Sequence, residues 1–136
     1  MKNIIIDSNI LFKAFRGKNS TIRDKLYNPD VNFYAPNFLV VEIFKHKERI
    51  VKASKIREGE VYELLEKILQ RINFVNEEFI STGNLIHAYK LCAGIDGKDT
   101  LFVALTIELN GKLWTHDEIL KIGLKRKGFN SFFDEI

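Results

Sequence analysis

Cysteine is almost missing from this 136-residue chain: Cys92 stands alone, so no internal disulfide can form. It sits in an apolar helical pattern, where a lone thiol reads as a small buried hydrophobe, and a reducing cytoplasm suits it. Proline is scarce too. Pro29 and Pro36 are the only two, and no repeat, low-complexity tract or Pro/Gly/Ser-rich linker divides the sequence. One domain over residues 1–136 is expected, long enough to bury a core without staples. No apolar run reaches the roughly 18–20 residues of a membrane span. The three isoleucines before Asp7 are too few for a secretory leader. Charge excess is small, +3 with a pI near 8.9, which argues only weakly for a nucleic-acid partner. One Trp and one Met against eleven Phe suggest a Phe-rich core.

Several familiar motifs are also missing. "GIDGKD" (Gly94–Asp99) resembles a phosphate loop only superficially, because its glycines are too close and Asp99 follows Lys98 where Ser or Thr is needed. A calcium loop begun at Asp96 would require Glu where Ile107 stands. His46, His87 and His116 are dispersed, and no Cys or His pair has zinc spacing. "DSN" after the first apolar run lacks the further acid of a phosphatase or receiver signature.

What is present is an alternation of strand and helix patterns. "NIIID" (Asn3–Asp7) is a β-branched run typical of a buried strand. "SNILFKAFRG" follows as a helix that Ser8 can cap and Gly17 can stop, and "STIRDKLYNP" repeats the logic with Ser20 and Asn28-Pro29. "VNFYAP" reads as a strand. "NFLVVEIFKHKERIVKASK" contains no breaker and reads as one long helix. "EGEVYELLEKILQRI" carries Val61, Leu64, Leu65, Ile68, Leu69 and Ile72 on one helical face. "NFV" is a third strand, and "EEFISTGNLIHAYKLC" a helix with Leu85, Ala88, Tyr89 and Cys92 on one side. "DTLFVALTIEL" is apolar nearly all round and should be buried, with Asn110-Gly111 as its stop. "KLWT" is a fourth strand, "DEILKIGLKRKG" a last helix, and "SFFDEI" a final strand or docked tail. The expected architecture is α/β, a mainly parallel central sheet flanked by helices.

In such sheets ligands bind beyond the carboxyl ends of the strands. Asp7 and Asp117 both follow strands there. Glu42 lies inside the apolar "FLVVEIF", where a charge is costly unless paired, and Asp99 opens the apolar helix. Alone, Glu42 is more simply a glutamate that meets a cation or faces solvent. Together, four converging carboxylates repel unless a cation neutralises them. Oxygen ligands without a Cys/His set select Mg²⁺ or Mn²⁺, the ions of phosphodiester hydrolysis.

The blocks "IIIDSNIL", "PNFLVVEIFKHK" and "DGKDTLFVALTIELNGKLWTHDEIL" resemble the ordered acidic blocks of PIN-domain proteins, over Asn3 to about Leu120. The resemblance implies a three-layer α/β fold and a Mg²⁺- or Mn²⁺-dependent endoribonuclease. Small members are VapC-type toxins, often dimeric, held in check by an antitoxin. It assigns Asp7, Glu42, Asp99 and Asp117 to catalysis and metal. Ser8, Asn9 and Thr115 match polar residues beside the site; Ser8 serves equally well as a helix cap. Asp96 is either a turn former or a neighbour of the ligands. Arg16, Lys45, Arg49 and Lys98 are candidates for RNA contact, with His46 on the same helical face as Lys45 and Arg49, although a solvated helix end explains that face as well. The rival reading is a PIN fold that binds RNA or protein without cutting.

Overall fold

The computed structural model describes residues 2–16 and 21–134. Gly17 and Ser20, expected at helix boundaries, and the last two residues of the tail lie outside that set. Four strands form one all-parallel sheet, β1 (Lys2–Ile6), β2 (Val31–Pro36), β3 (Ile72–Val75) and β4 (Lys112–Trp114), in the order β3-β2-β1-β4. Among the described residues seven α-helices connect them and an eighth follows β4: α1 (Ser8–Lys13), α2 (Thr21–Leu26), α3 (Phe38–Lys45), α4 (Lys47–Ser54), α5 (Glu58–Gln70), α6 (Thr82–Cys92), α7 (Thr100–Glu108) and α8 (Glu118–Arg126). Successive strand residues point to opposite faces, yet Ile4, Ile5 and Ile6 are all at 0% exposure. β1 is therefore covered on both faces, as an all-parallel sheet requires. None of these helices is long and apolar enough to cross a membrane.

The strand order places the functional edge. The chain steps outward from β1 to β2 to β3, then returns to the other side of β1 with β4. The β1/β4 boundary is thus a topological switch point, where the connections part and leave a crevice at the carboxyl ends. The pairing Ile6↔Trp114 is the last of its ladder, and the Asp7 N–H extends it by donating to Trp114 O at 3.3 Å. Asp7 and Thr115 leave the sheet side by side at that crevice.

Several local expectations are corrected. The long helix after Pro36 is two, α3 and α4, broken at His46 (φ −109°, ψ 16°). Its N–H still bonds Glu42 O and Ile43 O, and its ring stands edge-on to Phe12 with centroids 5.9 Å apart. Asp7, not Ser8, caps α1, accepting from the Ile10 N–H at 2.9 Å; Ser8 is the first helical residue. Ile72 opens β3 rather than continuing α5. Tyr89 is 67% exposed, because α6 presents Ala88, Leu91 and Cys92 inward. The segment before α6 is a separate 3-10 turn, Glu77–Phe79, with Ser81 as the α6 cap. The core is built mostly of Ile and Leu. Phe15, Phe33, Phe102 and Phe129 join it, while Phe44 and Phe79 are exposed. The tail docks as a single bridge, Leu113↔Phe132.

α7 is buried along its middle and packs on β1, β2 and β4, and α6 packs on α7. Asn110 ends α7 in the left-handed region (φ +48°). Gly111 is needed for a different reason: a Cβ there would stand 2.5 Å from the Asn3 carbonyl oxygen. Three cations are committed to backbone carbonyls. Arg23 reaches Ala14 O, Arg71 reaches Leu26 O and Asn28 O, and Lys127 reaches Lys90 O, Leu91 O and Ala93 O. The modest positive charge is thus partly a structural device for closing loop and helix ends.

Candidate metal centre

Each of the four acids is delivered by a different element. Asp7 follows β1, Glu42 lies in α3, Asp99 ends a 3-10 turn (Gly97–Asp99) that feeds α7, and Asp117 caps α8. All four line one cleft of about 770 Å³ at the switch point. Ser8, Asn9, Lys45, His46, Arg49, Asp96 and Lys98 line the same cleft. Thr115 lies beneath it at 1% exposure, and Arg16 lines a neighbouring cleft instead.

The four carboxylates are held differently. Asp7 is 3% exposed. One of its oxygens caps α1, and the Thr115 hydroxyl hydrogen-bonds the carboxyl. Burial nevertheless outweighs these bonds and raises its pKa above the usual carboxylate value. Thr115 Oγ1 also accepts from the Asp117 N–H at 3.1 Å, so one hydroxyl ties the two strand-end acids together. Asp117 Oδ1 caps α8 through the Leu120 N–H at 3.0 Å. Asp99 makes no such cap bond. Its carboxyl is pushed up to about 7, first by burial, then by the charges of Asp96, Asp7 and Asp117, with Lys98 opposing. Glu42 is half-buried, 3.5 Å from His46 Nε2.

The loop between α6 and α7 explains Asp96. Gly94 takes φ +78°, a conformation that favours glycine, and turns the chain. Asp96 Oδ1 then accepts from the Lys98 N–H at 3.0 Å and holds the 3-10 turn. Asp96 is therefore a turn former whose charge also bears on Asp99. Gly97, the second glycine of this loop, does not take a positive φ.

The model for the PIN domain matches residues 5–132 of the sequence. The chain belongs to the PIN-domain family. No curated protein matches it. PIN domains are generally nucleases that use divalent metal ions, and the all-parallel sheet flanked by helices agrees with that fold.

The donor set of this PIN domain suits a hard divalent ion: carboxylate oxygens from four elements, no thiolate, and an Asp99 whose ionisation its acidic neighbours oppose. A dication would relieve that repulsion. Among the described residues, no three His, Cys, Asp or Glu side chains stand close enough together to hold an ion. The acids line a common cleft without closing on one point.

Two neighbours of the site are not legible in the sequence. Lys13 Nζ lies 2.9 Å from Nδ1 of His116, across 103 positions of sequence. Phe12 forms the edge contact with His46 and lines the neighbouring cleft. His116 stands between Thr115 and Asp117, which is the only sequence sign of its place at the site.

Proposed function

We propose that the protein is a metal-dependent endoribonuclease, hydrolysing RNA phosphodiester bonds as the toxin of a toxin–antitoxin pair. The observation that carries the reading is the convergence of Asp7, Glu42, Asp99 and Asp117 on one cleft at the switch point of a PIN-domain sheet. Asp7, Glu42, Asp99 and Asp117 would hold Mg²⁺ or Mn²⁺. The ion supplies Lewis acidity toward water and the phosphodiester. Thr115 fixes Asp7 relative to Asp117 through its two hydrogen bonds. Lys45, Arg49 and Lys98 rim the acids and orient the incoming phosphate, offsetting the repulsion between the carboxylates and the RNA backbone. Ser8 and Asn9 line the same cleft and offer polar contacts. A cytoplasmic homodimer neutralised by an antitoxin completes the reading; it rests on the family resemblance.

The test has two arms. Purified protein is expected to cleave RNA with Mn²⁺ and not with EDTA, and Asp99→Asn to lose the activity; equal cleavage by both proteins rejects the site. Induced expression is expected to arrest growth of a bacterial host, with Asp99→Asn harmless; growth unaffected by an actively cleaving protein rejects the toxin role. The second reading, a PIN fold that binds without cutting, is favoured by the acids not closing on a common point. RNA retardation without cleavage under any divalent ion would select it.

A further inference from the structure

Beside the carboxylate cleft lies a second one of about 570 Å³. The two share Asn9, Arg49 and Asp117, so they form one continuous surface. Their chemistry differs. The second cleft is lined by Lys13 and Arg16 near the end of α1, by Arg49 of α4, and by His116 from the β4–α8 connection, with Asp117 as the sole acid at the shared edge. Among the described residues, neither Arg16 nor Arg49 is drawn into a side-chain hydrogen bond or ion pair, whereas Arg71 and Lys127 donate to backbone carbonyls. Lys13 Nζ and His116 Nδ1 stand 2.9 Å apart, so the ammonium and the imidazole line the same cleft together. Phe12, packed against His46 of the first cleft, adds an aromatic wall.

Cations held together on a concave surface repel one another and await an anion. An aromatic wall beside them is the lining that single-stranded nucleic acid uses, phosphate on the cations and base on the ring. The volume suits one nucleotide. From this geometry we infer that the Lys13–Arg16–Arg49–His116 cleft is the subsite for the nucleotide next to the cleaved bond of a single-stranded RNA. This rests on the reading of the chain as a ribonuclease. It makes Lys13 and His116 substrate-binding residues, and it sets the direction in which the strand leaves the carboxylates, over α1 and α4.

The test uses full-length Asp99→Asn protein, which does not turn over its ligand, and a ten-nucleotide single-stranded RNA titrated at several salt concentrations. Adding Lys13→Gln with Arg16→Gln is expected to weaken binding about tenfold. It should also reduce the slope of log affinity against log salt by roughly 0.7–1.4, one or two phosphate contacts. The control pair Lys67→Gln with Arg126→Gln removes the same charge from exposed positions outside both clefts and is expected to change affinity less than twofold. Equal losses in the two pairs overturn the subsite, because only net charge would then matter. Weakened binding of a polyglutamate peptide with RNA binding unchanged also overturns it, and assigns the cleft to an acidic protein segment. Arg16→Gln alone, at an exposed position, repeats the measurement should the pair lower the melting temperature; an unchanged salt slope there counts against the proposal. Failure of the ribonuclease reading looks different: RNA held through Lys13 and Arg16 but never cut by the wild-type protein removes the nuclease, and with it the cleaved bond, and leaves the cleft only as a nucleotide-binding surface.

Discussion

Replacing Asp99 by asparagine should stabilise the metal-free protein while destroying its proposed activity. The carboxyl is moved from 3.8 to about 7 by burial and by Asp96, Asp7 and Asp117. A shift of that size corresponds to roughly 4 kcal/mol against the charged form. Solvent on the open side of the cleft screens part of it, leaving about 2 kcal/mol. The sign follows from proton binding. The native state keeps the Asp99 proton up to about pH 7, whereas the unfolded chain releases it near 3.8. Native protein therefore binds more protons in that window, and its stability falls as pH rises through it. Above about pH 7 the full cost is present; at pH 5 roughly two fifths of it remains, and it disappears only as pH falls below 3.8. Asparagine carries no charge, so Asp99→Asn should gain about 2 kcal/mol at pH 8, or roughly 5–10 °C in melting temperature, and only about 0.8 kcal/mol at pH 5. Thermal unfolding in EDTA at the two pH values measures this. A variant no more stable than wild type at pH 8, or equally shifted at pH 5, would refute the electrostatic account. The trade is of the kind expected where function demands an unfavourable arrangement of charge.

Other consequences of the structure can be measured alongside. Gly111→Ala puts a methyl group 2.5 Å from the fixed carbonyl oxygen of Asn3 and should cost about 1–3 kcal/mol in urea unfolding. Asp117→Ala removes the α8 cap as well as a charge and should lose about 1 kcal/mol, whereas Asp117→Asn keeps the cap; comparing the two melting curves separates the roles. Thr115→Val deletes the hydroxyl that joins Asp7 to the Asp117 backbone, and Mn²⁺ affinity by calorimetry should fall about tenfold with the fold retained.

The parallel sheet was readable because its physics is local. The "III" of β1 is apolar and β-branched without alternation, as a strand covered on both faces is, and Ile4, Ile5 and Ile6 are fully buried. Asp7, Asp99 and Asp117 stand where strand ends and a helix start put them, and those positions can be counted off the sequence. Glu42 was visible as a charge in an apolar run. The break at His46 left no such trace: residues 38–54 hold neither Gly nor Pro, and the ring contact that accompanies it comes from Phe12 in another helix. The cap of α1 passed from Ser8 to Asp7 because the strand stops one residue earlier, and both side chains make good caps. Tyr89 follows the helical repeat of Leu85, but the buried residues of α6 are Ala88, Leu91 and Cys92, and Tyr89 stays exposed. Lys13 and His116 meet only through the fold, since neither the spacing of 103 residues nor either residue type announces the pair.

The central claim is that these acids bind a divalent ion together. Titration of metal-free protein with Mn²⁺ at pH 7.5, followed by the loss of the free-ion electron paramagnetic resonance signal, tests it directly. Saturable binding in the wild type, weakened at least tenfold by Asp7→Asn, Glu42→Gln or Asp99→Asn alike, is the predicted result. Absence of saturable binding, or the same affinity in all four proteins, would contradict it.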